Sequence, residues 1–148
     1  MELTAGDHIR NLLAEYCHRI DAGDFDGVGE MFADGSLADE HGNELARGAA
    51  DVASFYASTT RRHDDGTPRT KHVVTNTVLE PAHDGTVVAR SAYVVLMATD
   101  GLALQPIITG GYVDTFAPTD DGAGWHFTER RFRVDHLGDL SQHLTIDL

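Results

Sequence analysis

The sequence predicts an α+β fold, with helices lying on one face of a curved, largely antiparallel sheet. Three observations carry this. Apolar residues recur at helical spacing in the first third of the chain. After residue 69 the pattern changes to four long β-rich runs. The connections between those runs are short, and one of them, Asp100-Gly101, is a strong two-residue hairpin signal. Helices followed by an antiparallel meander place the helices together against the sheet. Such a sheet curls, and helices across its concave face leave a pocket.

The elements follow in order. Residues 7–22 read as a helix, with Asp7 as N-cap. Ile9, Leu12, Leu13, Tyr16, Cys17 and Ile20 share one helical face, and Gly23 closes it. Asp24 caps a short second helix whose apolar contacts are Phe25, Val28, Met31 and Phe32. Asp34-Gly35 makes a turn. Residues 36–47 form a short hairpin turning at His41-Gly42-Asn43. Gly48 leads into a third helix over 49–60, with Val52, Phe55 and Tyr56 on its apolar side. Residues 61–69 are a polar loop. Strands are expected over 70–80, 86–99, 102–117 and 125–136.

Composition narrows the function classes. At 148 residues the chain reads as one domain, 1–148. A chain of this size buries about 70% of its unfolded surface, enough for a core without a disulfide or metal staple. Its 11 Lys and Arg against 24 Asp and Glu give a net charge of −13, which argues against nucleic acid and anionic membrane surfaces as partners. No long apolar run and no basic-then-apolar leader is seen, so neither a membrane helix nor a signal peptide is expected. Cys17 is the only cysteine, which excludes an internal disulfide and fits a cytoplasmic location. The nine histidines are scattered without HExxH or HxH spacing, so no metal is expected. No GxGxxG after a strand, phosphate loop or GxSxG elbow is found, and no cofactor is expected.

Two polar residues stand in apolar surroundings. Asp21 ends the first helix at the border of its apolar face. It is either a solvated helix-end carboxylate or the acceptor of a histidine proton. His72 lies in the run Lys71-His72-Val73-Val74-Thr75-Asn76, on the face it shares with Thr70 and Val74 and away from Lys71, Thr75 and Thr77. It is either a hydrogen-bonded core histidine or a general base oriented by Asp21. Tyr16 and Tyr56 either line the pocket and donate to a substrate carbonyl or are core. Asn76 shares the parity of His72 and reaches the far end of a ligand, or bonds a helix. Arg130 and Arg131 face opposite ways; Arg131 is taken as the residue that polarises substrate oxygen, although a bulge before it would reverse the choice. His126, His136 and His143 read as surface or interface residues. The tail, residues 135–148, either covers the pocket mouth or crosses to a neighbouring chain.

Taken together, these features resemble the SnoaL-like branch of the nuclear transport factor 2-like superfamily. The resemblance rests on Tyr16, Asp21-x-Gly23-Asp24-x-Asp26, Met31-Phe32, and Gly48 opening a helix. It continues through His72-x-x-x-Asn76, Gly110-Gly111-Tyr112-x-Asp114-x-Phe116, and Gly124-Trp125-x-Phe127-x-x-Arg130-Arg131. It covers nearly the whole chain. It implies a cone-shaped, barrel-like fold in which a curved antiparallel or mixed sheet and three N-terminal helices enclose an apolar pocket. Enzymes of the group include scytalone dehydratase, a hexachlorocyclohexane dehydrochlorinase, polyketide cyclases, a bile-acid dehydratase and ketosteroid isomerases. Several use an Asp–His pair, with Asp from the first helix and His from the third strand, as Asp21 and His72 stand here. Ketosteroid isomerase uses a lone carboxylate, and His72 departs from that pattern. The resemblance thus implies a cofactor-independent dehydratase, isomerase or cyclase acting by proton abstraction on a small hydrophobic, cyclic or carbonyl-bearing metabolite. Alternatives within the same fold are a non-catalytic small-ligand binder and a protein-interaction subunit like the small subunit of ring-hydroxylating dioxygenases. A homo-oligomer, with a dimer favoured, is the expected assembly.

Overall fold

A computed structural model describes residues 1–148. The first helix, α1 (Ala5–Asp21), begins two residues earlier than the sequence suggests. Thr4, not Asp7, is its N-cap, and Asp7 closes a capping box as the third helical residue. Both residues therefore satisfy free N–H groups at the helix start. Ile9, Leu13, Tyr16, Cys17 and Ile20 are buried along one face. Gly23 follows with a φ of 75°, and a Cβ there would lie 2.2 Å from the Gly66 carbonyl oxygen. Only glycine permits that approach. Asp24 caps α2 (Phe25–Met31) by accepting from Gly27 N–H at 2.9 Å. Strands β1 (Ser36–Asp39) and β2 (Glu44–Arg47) form the short hairpin. Next comes α3 (Gly48–Thr59), with Thr60 already extended.

The remaining strands are β3 (Thr70–Pro81), β4 (Val87–Thr99), β5 (Leu102–Pro118) and β6 (Trp125–Leu137). The six-stranded sheet has the order β2-β1-β6-β5-β4-β3, and it does not close. Only β1 and β6 pair in parallel, so the sheet is mixed. The fold is α+β and cone-like, with the helices packed on the curved sheet. One core cluster of 14 residues lies under the helices, and a second of 7, including Tyr93, Val95, Ile108 and Tyr112, lines the far end of β4 and β5.

Two bulges reset which side chains face inward. In β3, Thr75 pairs with Ala92 but Val78 with Arg90, so one residue is extra. Asn76 absorbs it at a φ of 57°, a conformation that asparagine tolerates better than most residues. Parity therefore flips: His72 and Val74 face in before the bulge, while Thr77 and Leu79 do so after it, leaving Val78 exposed. In β6, Thr115 pairs with Glu129 but Phe116 with Phe127, which leaves Thr128 extra. Phe127 and Arg130, three residues apart, are consequently both fully buried.

Candidate active site

The end of α1 packs against the start of β3, which brings the Asp21 carboxylate over three donors from two residues of that strand. Oδ1 accepts from Thr70 Oγ1 at 2.8 Å and from His72 Nδ1 at 2.6 Å; Oδ2 accepts from His72 backbone N–H at 2.8 Å. A carboxylate only accepts, so this bond assigns a ring proton to Nδ1, and in the neutral ring Nε2 then carries the lone pair. The two side chains are only 9% and 18% exposed, His72 the less. Burial pushes the Asp21 carboxyl up, but the His72 ring and backbone bonds and the Thr70 hydroxyl outweigh it and hold the group below its usual value. The carboxylate thus stays ionised at neutral pH.

His72 faces a cavity of ≈ 150 Å³, and 13 of its 17 lining residues are hydrophobic. Tyr16, Ile20, Phe55 and Tyr56 form its helical wall, and Tyr93, Val95, Ile108, Tyr112, Phe132 and Val134 its sheet wall. The rings of Tyr16 and His72 meet edge to face, 6.3 Å apart. The Tyr16 and Tyr56 hydroxyls share a hydrogen bond of 2.7 Å. Burial pushes both phenols above their ordinary value, so both remain neutral and can donate. Both tyrosines therefore line the cavity rather than filling core alone.

Two of the expected residues lie elsewhere. Asn76 is exposed at the β3 bulge and does not reach the cavity, because the flip in parity turns it outward. Arg131 lies outside on the other face of β6, bonded to Glu129 at 2.6 Å and partly exposed. The bulge at Thr128 turns Arg130 inward instead. Arg130 donates to both oxygens of Asp114 at 2.8 and 2.9 Å, with both side chains fully buried. Its guanidinium lies 3.7 Å from the Tyr112 ring centre and 4.1 Å from that of Tyr16. Burial alone would lower its affinity for the proton; Asp114 more than offsets this and keeps it charged. It supports the tyrosine wall from behind rather than lining the cavity.

The tail contributes His143, Leu144, Ile146 and Leu148 to the cavity lining. The tail folds back on its own chain: Arg61 N–H donates to His143 O at 2.8 Å, and Thr145 N–H to Thr59 O at 3.0 Å. His143, expected at the surface, is only 5% exposed. Sequence reasoning missed it because a tail has no periodicity to reveal where it docks; its one signal was the run of apolar residues around it. Thr70 was missed for want of any signal beyond its two-residue spacing from His72. Cys17 offers no nucleophile, since burial pushes its thiol up to about 11. No group of three or more His, Cys, Asp or Glu side chains converges in a way that could hold a metal ion. No helix is long and apolar enough to cross a membrane.

The model of a SnoaL-like domain family matches residues 1–131. Among curated proteins, none matches the chain. Solved structures share the fold. An Asp-to-Asn variant of Rv3472 from Mycobacterium tuberculosis, a protein of unknown function, is 28% identical, with a TM-score of 0.68 over 88% of this chain and 71% of that one. ActVI-ORFA from Streptomyces coelicolor is 19% identical, with a TM-score of 0.70 over 88% of this chain and 97% of that one. A protein of Novosphingobium aromaticivorans, provisionally assigned as a scytalone dehydratase, is 18% identical, with a TM-score of 0.67 over 89% and 85%.

Proposed function

Because the chain belongs to the family of SnoaL-like domains, we propose that it is a cofactor-independent enzyme that abstracts a proton from a small, hydrophobic, carbonyl-bearing substrate. The observation that carries this is the 2.6 Å bond from His72 Nδ1 to the buried Asp21 carboxylate, with His72 set in the wall of an apolar cavity. His72 Nε2 takes a proton from the carbon beside the substrate carbonyl, and the bond's electrons move onto the carbonyl oxygen. Asp21 holds the ring in the tautomer that makes Nε2 basic, and stabilises the imidazolium that results. The neutral Tyr16–Tyr56 pair donates a hydrogen bond to the developing oxyanion. Dehydration, isomerisation and aldol-type cyclisation all start with this step. The likeness to the N. aromaticivorans protein provisionally assigned as a scytalone dehydratase favours the dehydratase branch of the proposal.

β-Tetralone, a bicyclic ketone with acidic α-protons, tests the step. In D2O the protein should catalyse exchange of those protons for deuterium, read by mass spectrometry, and His72→Gln should abolish it. Tight binding of such ketones without exchange would favour the second reading, a small-ligand carrier, for which the predominantly apolar cavity, lined in part by the tail, is the supporting observation.

A further inference from the structure

The C-terminal strap brings a second imidazole into the cavity wall. His143 follows the last residue matched by the family model by more than ten positions, so it lies outside the matched region. It is 5% exposed, and its place is built rather than incidental. Its carbonyl accepts from Arg61 N–H at 2.8 Å, and its own N–H donates to Leu140 O at 3.0 Å. The preceding residue's carbonyl, Gln142 O, lies 2.9 Å from His63 Nε2. Thr60 and Leu144 pair as an antiparallel bridge. The backbone on both sides is thus pinned, and the ring has a fixed position beside the cavity.

The ring's own hydrogen bonding is incomplete. Nδ1 is sealed from solvent and has no partner, whereas Nε2 is not among the sealed, unpartnered atoms. A sealed N–H without an acceptor is rarer and costlier than a sealed lone pair. The lone pair therefore belongs on Nδ1 and the proton on Nε2, the unsealed nitrogen of a ring whose residue lines the cavity. Burial, reinforced by the nearby His72 and His63 and only partly opposed by Asp21, lowers the ring's proton affinity to about 4. The imidazole is neutral at physiological pH, and a neutral imidazole is a hydrogen-bond donor that brings no charge of its own.

We propose that His143 Nε2–H is a substrate-binding donor that holds the carbonyl or hydroxyl oxygen of the ligand while His72 works on the adjoining carbon. This rests on the proton-abstraction reading above and deepens it. It makes the two histidines opposites: Asp21 makes His72 a base, whereas the unpartnered, dry setting of His143 makes it an electrophile. It also makes the ligand one with an oxygen at the strap end of the cavity.

The probe pair p-nitrophenol and p-nitrotoluene tests it, since the two differ only by hydroxyl against methyl. Their Kd values are measured in wild type, His143→Leu and His143→Gln. The expected result is that His143→Leu weakens p-nitrophenol about tenfold and leaves p-nitrotoluene within twofold, and that His143→Gln, which restores an N–H at similar reach, recovers most of the loss. Nitrogen-15 NMR of the wild type should show His143 neutral at pH 7 with its proton on Nε2. Equal losses for both probes in His143→Leu, no loss for either, or an Nδ1–H tautomer would each overturn the proposal. Failure of the underlying reading looks different: β-tetralone would show no exchange in wild type, whatever the probe pair does.

Discussion

Replacing Asp21 by asparagine changes one atom and should reverse the role of His72. In the wild type, Oδ1 serves Thr70 and the His72 ring while Oδ2 serves the His72 backbone N–H. An asparagine has one oxygen for these three donors. The backbone N–H cannot become an acceptor, so the amide oxygen must face it. The amide NH2 then faces Thr70 Oγ1 and His72 Nδ1, and both of those can turn from donor to acceptor. His72 does so only by moving its proton to Nε2, which puts an N–H where the cavity needs a lone pair. Three charge-assisted bonds become neutral ones, a loss of about 1 kcal/mol each that is partly offset by no longer burying a carboxylate. The net cost is about 1–3 kcal/mol, which lowers Tm by about 2–12 °C for a chain of this size. Exchange of β-tetralone should fall by roughly four orders of magnitude, as for an imidazole locked in the wrong tautomer. Nitrogen-15 NMR reads the tautomer, and calorimetry the stability. A variant that keeps the Nδ1–H tautomer, or exchanges within tenfold of wild type, refutes the reasoning.

Other outcomes follow from the same geometry. Asp114→Ala leaves the Arg130 guanidinium buried and unpaired, and urea denaturation should show a loss of about 3–5 kcal/mol; the double variant Asp114→Leu/Arg130→Met should recover most of it. Gly110→Ala places a Cβ 2.0 Å from the Arg133 carbonyl oxygen and 2.6 Å from the Tyr93 hydroxyl, so it should cost about 1–3 kcal/mol or more and disturb the sheet wall. The unfolded chain protonates His143 near 6.5 and the folded one only near 4, so its contribution is complete above pH 6.5 and falls away towards pH 4. That loss is about 3 kcal/mol, visible first as faster amide exchange in the strap. Asp21, whose folded value is depressed below 3.8, contributes stability above that value that is lost as pH falls through the folded one. The Asp21→Asn variant should therefore lack this lower acid limb of the stability profile.

Much of the fold was legible because it is written in local periodicity. The buried face of α1 follows from the spacing of Ile9, Leu13, Tyr16, Cys17 and Ile20, and the Asp24 cap from residue type and position. Asp100-Gly101 connects β4 and β5 as its turn chemistry requires. Asp21 and His72 stood out because each is a polar residue at the margin or centre of an apolar run. Their juxtaposition was suggested by resemblance, and it took the packing of α1 on β3 to establish the 2.6 Å contact.

What periodicity could not supply is the phase of a strand beyond a bulge. A period-two pattern carries its phase only until one extra residue intervenes. Asn76 and Thr128 are such residues, and each inverts the stretch that follows it: Asn76 turns itself out of the cavity, and Thr128 exchanges Arg131 for Arg130. Neither bulge is marked by a glycine. The tail is the second case. Its residues have apolar character but no regular period, so their place depends on long-range bonds to residues 59–63, at the end of α3 and in the loop that follows it. Local sequence thus decided which elements form and which polar residues stand out among them. Strand register and the docking of the strap, both set by contacts between distant residues, decided which of those side chains share the cavity.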